Sequence, residues 1–286
     1  MIRLTLAALC LSATSALAYP VTVKSCNRDV TFDKAPTRAV SNDVNLTEMM
    51  LVLGLRDHMV GYSGISGWKT LDPQMRAGVA ELPELSAKYP TKEVLAGADA
   101  DFFFAGWNYG MKVGGEVTPE TLAPLGIKVY ELTESCIHIG AKPKVSMEEM
   151  YADLRNLGAI FGVEDRAEAL IAGYQAQLAQ ITKGVNHNHP LRVFVYDSGE
   201  KAPFTAGKYA MPTALIEAAG GRNIMDDLDK SWAEIGWEPV GERNPQVTVI
   251  VNYGDVTAEQ KIAYLKSNPA FAGMFSREHF IEVETG

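Results

Sequence analysis

Aromatic and small polar side chains fall at the ends of apolar runs, and that spacing is the first chemical signal in this 286-residue chain. Tyr62 and Ser63 follow "HMVG", with Trp68 close behind. Trp107, Asn108 and Tyr109 follow "DFFFAG", and Thr133, Glu134 and Ser135 follow "IKVYEL". Further on, Tyr196, Asp197 and Ser198 follow "RVFV", Asn252 and Tyr253 follow "VTVIV", and Trp232 falls in a loop. Rigid aromatic faces with a few hydrogen-bonding groups bind small molecules by stacking and apolar contact. For any one residue, packing at a strand end competes with this reading; repetition over several strand ends favours a cleft. Catalytic patterns are absent: the chain has no GxGxxG, no Walker loop, no HExxH and no GxSxG. His187 and His189 lie in the polar "NHNHP" junction, which reads as a solvated loop before it reads as a metal site. His58, His138 and His279 stand singly, and Glu148-Glu149 suits a helix N-terminus better than acid–base work. The expected chemistry is recognition, not catalysis.

Such a cleft needs strands to aim its residues. Short apolar runs alternate with helical patterns, which points to parallel sheets covered on both faces. "VTVK-SCNRD-VTF" reads as a hairpin. "TRAVSN", "HMVGYS", "ADFFFAGW" and "IKVYELTES" read as strands. Between them lie helices at "NLTEMMLVLGL" with Asn45 as N-cap, "TKEVLAG" with Thr91 as cap, and "TPETLAPLG". Two longer helices follow. The first opens on a capping box, Ser146 with Glu149, and places Met147, Met150, Tyr151, Leu154, Leu157 and Phe161 at helical spacing. The second runs for about 20 residues and puts Val163, Ala167, Leu170, Ile171, Tyr174, Leu178 and Ile181 on one face. A second α/β series closes the chain: "LRVFVYDSG", "MPTALIEAAGG", "WEPVGERNP", "VTVIVNYG", "AEQKIAYLKS" and "HFIEVE". The expected organisation is a signal peptide over 1–18, an α/β lobe over 19–145, a helical region over 146–189 and a second α/β lobe over 190–286. That lobe stops at a strand and is expected to lack its last helix.

"MIRLTLAALCLSATSALA" has one early basic residue, an apolar stretch and small residues ending at Ala18, the layout of a cleavable export signal. Leu9 before Cys10 argues against lipid attachment, and no later run is long enough to span a bilayer, so membrane insertion is not expected. The formal net charge of −9 argues against nucleic acid and anionic membranes and favours a partner carrying positive charge. Cys10 leaves with the signal, so Cys26 and Cys136 remain as an even pair in an oxidising compartment. A disulfide is the first expectation and two buried thiols the alternative; no accompanying CxxC or Cys/His spacing supports zinc.

Two segments carry a family likeness. "RVFVYDSGEKAPFTAGKYAMPTALIEAAGGRNIMDDLDKSWAEIGWEPVGERNPQVTVI" contains the "PFTAGK" turn, the "EAAGGRNI" helix end, Trp232 and Glu238, and "YPTKEVLAGADADFFFAGW" contains Glu93. In order and spacing they resemble the bacterial periplasmic binding proteins for vitamin B12 and ferric siderophores. The likeness runs from about Val21 to the end. It implies two Rossmann-like α/β lobes bridged by one long helix, with the ligand between them. It implies a monomeric receptor that serves the permease and ATPase subunits of an ABC importer and has no cofactor of its own. Glu93 and Glu238 would be the glutamates, one per lobe, that pair with permease arginines; helix N-terminal stabilisation is the plainer role for both. The ligand set would be Tyr62, Trp68, Trp107, Asn108, Tyr109, Glu134, Tyr196, Trp232 and Tyr253. Few basic residues lie near these loops, which favours a neutral or weakly charged ferric siderophore or a corrinoid over a trianionic catecholate. The cysteine pair is not general to the family. A receptor for a bare metal ion, or an exported redox protein using Cys26 and Cys136, are the competing readings.

Overall fold

The computed structural model describes residues 19–68, 71–185, 188–252, 254–267 and 279–284. The expected export signal therefore lies outside the described residues, as do Tyr253 and His187. Strands β1 (Val21–Ser25) and β2 (Arg28–Phe32) pair antiparallel in the expected hairpin. Val23, Ser25, Val30 and Phe32 turn inward on alternate positions, the period of two that strand geometry imposes.

The first sheet is built from β3 (Ala39–Asn42), β4 (Met59–Ser63), β5 (Glu84–Ser86), β6 (Phe102–Trp107), the two-residue β7 (Gly110–Met111) and β8 (Lys128–Glu131). Its order is β5-β4-β3-β6, with β8 on the far side of β6 and β7 beside the end of β6. The ladders are parallel, so every strand delivers its carboxyl end to the same rim. All six residues of β6 are buried, as a central strand covered on both faces requires. Helices α1 (Val44–Val52), α2 (Pro73–Gly78), α3 (Lys92–Gly97) and α4 (Pro119–Leu122) lie between the strands.

Thr91 caps α3 as expected, its hydroxyl accepting from Val94 N–H. The cap of α1 differs from expectation. Asp43, not Asn45, closes that helix, its carboxylate accepting from Val44 N–H at 2.8 Å. The chain turns sharply after β3, so the helix begins before Asn45 is reached.

Helices α5 (Met147–Phe161) and α6 (Glu164–Ile181) connect the sheets. In α5, Tyr151, Leu154, Leu157 and Phe161 are buried as the spacing predicts, and Gly162 ends the helix in the left-handed conformation. The capping box does not form: Ser146 makes no side-chain cap bond. Glu149 instead pairs with Lys142 at 2.6 Å, a charge-assisted contact stronger than a neutral cap. In α6, Ala167 and Ile171 are buried, whereas Ile181 is 66% exposed; the apolar face serves the first lobe only along its start.

The second sheet contains β9 (Arg192–Tyr196), β11 (Arg222–Asn223), β13 (Val247–Asn252) and β14 (His279–Glu284) in the order β11-β9-β13-β14, all parallel. Strands β10 (Phe204–Ala206) and β12 (Trp232–Glu234) form a separate antiparallel pair. Helices α7 (Met211–Ala218), α8 (Trp237–Arg243) and α9 (Ala258–Ser267) complete the lobe. Each lobe has its own core. Phe102, Phe104 and Tyr130 anchor one together with α5; Phe194, Tyr196, Val240 and Leu265 anchor the other.

Candidate functional site

The carboxyl ends of the two sheets face a shared seam. Gly254 N–H donates to the Trp68 carbonyl at 2.9 Å, which joins the loop after β13 to the loop after β4. On the connecting side, Val145 N–H donates to the Lys208 carbonyl at 3.3 Å, and Lys144 pairs with Glu217 and, at 3.4 Å, with Asp226. An apolar cavity of about 910 Å³ lies against one face of the second sheet, with Val195, Val249 and Met211 on that side and Met49, Leu154 and Leu132 from the first lobe opposite; of the expected ligand residues Tyr109, Glu134 and Trp232 line it, and Trp68, Asn108, Trp107 and Tyr196 do not. That volume is in the range of small-molecule sites.

Two aromatic pairs stand at the seam. In the first lobe Trp68 meets Tyr89 edge to face, with centroids 5.9 Å apart. Trp68 is fixed by its indole N–H, which donates to the Gly64 carbonyl at 2.9 Å, and Lys88 Nζ sits 4.9 Å from its ring centroid. Burial, then the nearby Asp43, pushes the Tyr89 hydroxyl up to about 12, so it stays protonated and donates to the Asn108 carbonyl. The second pair spans the lobes: the Trp232 indole lies near the Tyr109 hydroxyl, and both line the same cavity. Trp232 is itself stacked on Phe204, with centroids 5.8 Å apart and planes 18° apart. Exposed Asn108 lies beside His138, its Nδ2 3.3 Å from the ring Nε2. Burial first, and Lys230 second, lower the His138 pKa.

The rim beneath these pairs is tightly built. Asp43 has φ 72° and ψ 162°, a region that only glycine reaches without strain. Fully buried Asn42 supports that turn. A Cβ on Gly64 or Gly110, both at positive φ, would come within 2.7 Å of the Asn42 side chain, so glycine is required on both sides of it.

The other expected ligand residues are placed differently. Trp107 is only 6% exposed. Its indole donates to Glu131 at 2.8 Å, and its backbone N–H donates to Ser135 Oγ at 3.0 Å. Fully buried Glu131 also accepts from Ser25 Oγ at 2.8 Å and Arg28 Nη2 at 2.6 Å, so the hairpin fixes Trp107 from behind. Tyr196 is 2% exposed, with its hydroxyl on the Gly199 carbonyl at 3.3 Å. Tyr62 is half-buried within β4. The seam thus gathers Trp68, Asn108, Tyr109, Glu134 and Trp232, while Trp107 and Tyr196 serve the walls behind it. Trp237, with no role assigned from the sequence, packs against Phe194 and Tyr196 and donates to the Glu200 carbonyl at 2.7 Å.

Tyr89, Asp43 and Ser231 were not singled out in the sequence, and His138 was noted there only as a single histidine. Tyr89 follows a three-residue strand too short to show a pattern, although the Pro90-Thr91 helix start beside it marks a strand-to-helix loop. Cys26 and Cys136 come together with Cα atoms 5.3 Å apart, within disulfide geometry. Among the described residues no group of three or more His, Cys, Asp or Glu side chains is placed to hold a metal ion, and no helix is long and apolar enough to cross a membrane.

Comparison with known proteins agrees with this architecture. Residues 40–275 match the family model described as periplasmic binding protein. The vitamin B12-binding protein of Pectobacterium atrosepticum is 23% identical over 229 residues, covering 78% of this chain and 74% of that protein. The cobalamin-binding protein of Halobacterium salinarum is 26% identical over 241 residues, 83% of this chain and 60% of that protein. A crystal structure of a periplasmic binding protein from Veillonella parvula superposes with a TM-score of 0.80 at 30% identity, covering 93% of this chain and 91% of that one. The ABC-type Fe3+-hydroxamate transport system structure from Saccharomonospora viridis gives a TM-score of 0.78 at 23% identity, covering 94% and 92% of the respective chains. Two parallel-sheet lobes joined through α5 and α6, with residues 40–275 matched by the family model, place this chain in the periplasmic binding protein family.

Proposed function

We propose that the protein is the periplasmic substrate-binding subunit of an ABC importer. It captures an iron-siderophore or corrinoid-type chelate between its lobes and hands it to the membrane permease, which its ATPase subunits drive. The observation that carries this reading is the cavity of about 910 Å³ with walls from both lobes, lined by Tyr109 and Glu134 of the first and Trp232 of the second. The relatives named as vitamin B12- and cobalamin-binding proteins support the ligand class, as does the Fe3+-hydroxamate transport structure. Flat or amphipathic chelates suit such aromatic, largely apolar walls.

In this reading residues 1–18 direct export, 19–145 and 190–286 are the two ligand-binding lobes, and 146–189 is the connecting helical region. The protein works as a monomer, with no catalytic residue and no cofactor of its own. Glu93 and Glu238 are the permease contacts. Both are exposed in the first turn of a short helix, α3 and α8, one in each lobe. Its own backbone N–H first, and the Thr91 hydroxyl second, hold the Glu93 carboxyl below the usual range, so it stays charged for an arginine. Cys26–Cys136 is a permanent structural bridge.

Native mass spectrometry of the protein purified from its own periplasm, with absorbance from 300 to 600 nm, tests the ligand class. A bound iron chelate or corrinoid gives both an added mass and a visible band. A colourless added mass would replace the chelate with another small molecule.

A further inference from the structure

Glu134 lines the cavity and also bonds to residues of both lobes. It stands on the 3-10 turn after β8 and is 4% exposed. Its Oε1 accepts from Tyr109 Oη at 3.3 Å within the first lobe and from Ser231 Oγ at 3.5 Å in the second. The Met211 N–H, at the first position of α7 in the second lobe, is near enough to favour the charged carboxyl. Pro212 follows and offers no N–H. Tyr109 in turn lies beside the Trp232 indole of the second lobe. One buried carboxyl therefore gathers donors from both sides of the seam.

The charges around it are unbalanced. Lys142 is the nearby cation, but its Nζ is committed to Glu149 at 2.6 Å and to the Glu134 carbonyl at 3.4 Å. Helix α5 contributes acids: Glu149, raised chiefly by burial, and Asp153, raised to about 7 by burial. Tyr109 remains protonated, raised by burial first and by Glu134 and Asp43 next. The second lobe contributes neutral donors, Ser231 and the start of α7. An ionised carboxylate sealed here gives up water for an incomplete set of partners, whereas on an opened seam it is hydrated.

We propose that Glu134 is a protonation-sensitive pin between the lobes, which holds the seam closed when neutral and favours its opening when ionised. The proposal rests on the reading of the protein as a two-lobed binding protein and adds regulation to it. The side-chain bonds from Tyr109 and Ser231 both end on Oε1, so a proton on Oε2 leaves them in place. Burial, opposed by Met211 N–H, Lys142 and Tyr109, lifts the carboxyl to about 7. The closed form thus binds the proton better than the open form does. Closure strengthens as pH falls from about 7 towards the ordinary carboxylate range and weakens in the opposite direction. Acid favours capture and retention; neutral to alkaline conditions favour release.

The test needs no ligand. Cysteines introduced by Val113→Cys and Val256→Cys, at positions 63% and 50% exposed on the two lobes, carry spin labels. Interlobe distances are then read by pulsed dipolar spectroscopy from pH 5 to 8.5. The expected result is one short distance at low pH and a longer component that gains with pH, by at most about tenfold in the open-to-closed ratio per pH unit. Glu134→Gln should hold the low-pH distribution throughout. Tyr109→Phe, which strips a donor from the carboxylate, should carry the change to higher pH and keeps the proposal testable if Glu134→Gln does not fold. Distances independent of pH in the parent protein would overturn the pin. A pH response that survives Glu134→Gln would also overturn it and assign the response to Asp153 or His138. Neither result bears on whether a chelate is bound, which the mass measurement decides separately.

Discussion

The Arg28–Glu131–Trp107 cluster makes a quantitative test of how the hairpin supports the binding rim. Replacing Arg28 with Met removes two donors from a carboxylate that is fully buried, with Arg28 Nε at 3.1 Å and Nη2 at 2.6 Å. Breaking one side of a fully buried ion pair costs about 3–5 kcal/mol. Two features lower that figure. The Arg28 side chain is 29% exposed, so water reaches part of the vacated space. Ser25 and Trp107 still donate to Glu131, each at 2.8 Å. About 2–3 kcal/mol remains. Arg28→Met together with Glu131→Met should cost less than the sum of the two single changes, because no charge is left stranded. The assay is urea unfolding of the three variants and the parent, followed by far-UV circular dichroism and tryptophan fluorescence. In the variants that replace Glu131, Trp107 loses its indole partner, and the emission should also shift to the red. A loss below about 0.5 kcal/mol in Arg28→Met, or strict additivity in the double variant, would refute the account.

Other consequences can be measured directly. Asp153 is fully buried and accepts from the Tyr130 hydroxyl and from Thr133, yet burial raises it to about 7. Its contribution to stability is therefore complete below the ordinary aspartate range and is lost as pH rises through about 7, so Asp153→Asn should flatten stability against pH across that window, as read by thermal unfolding. The Cys26–Cys136 pair has a sequence separation of 110. Reducing it should cost up to about 4–5 kcal/mol by loop closure, and thiol titration of the unreduced, unfolded mature protein should find no free thiol. Charge reversal at both Glu93 and Glu238 should abolish uptake while leaving ligand affinity unchanged; loss of affinity would remove the docking assignment.

The sequence revealed a good deal of this architecture because its main strands are unambiguous. "DFFFAGW" and "RVFVY" are dense apolar runs, and both became buried sheet strands. The two long helices were legible from apolar spacing, and α5 buries most of the predicted face. Strands β5, β10 and β12 were not legible, since three residues carry too little periodicity to separate a strand from a loop. Tyr89 was lost with β5. Strand-end position located the seam residues but could not tell which way each ring turns. Trp107 turns inward because Glu131 waits behind it, and Glu131 is held there by Ser25 and Arg28 from a hairpin about a hundred residues earlier. The cap of α1 was misplaced because the strained turn at Asp43 left no local signature. Glu134 was picked for its place at a strand end, but its partners Met211 and Ser231 belong to the other lobe. No local pattern encodes a contact of that range.

The most direct test of the central claim is a fluorescence titration of the mature protein with three chelates: cyanocobalamin, a ferric hydroxamate and haemin. Trp68 and Trp232 stand at the seam and should report occupancy. The account predicts saturable one-to-one quenching by a member of this set, at micromolar concentration or below, weakened at least tenfold by Trp232→Ala with the fold intact. Absence of saturable binding by all three up to 100-fold higher concentration, of the order of 100 μM, would contradict the assignment of this cleft to a chelate.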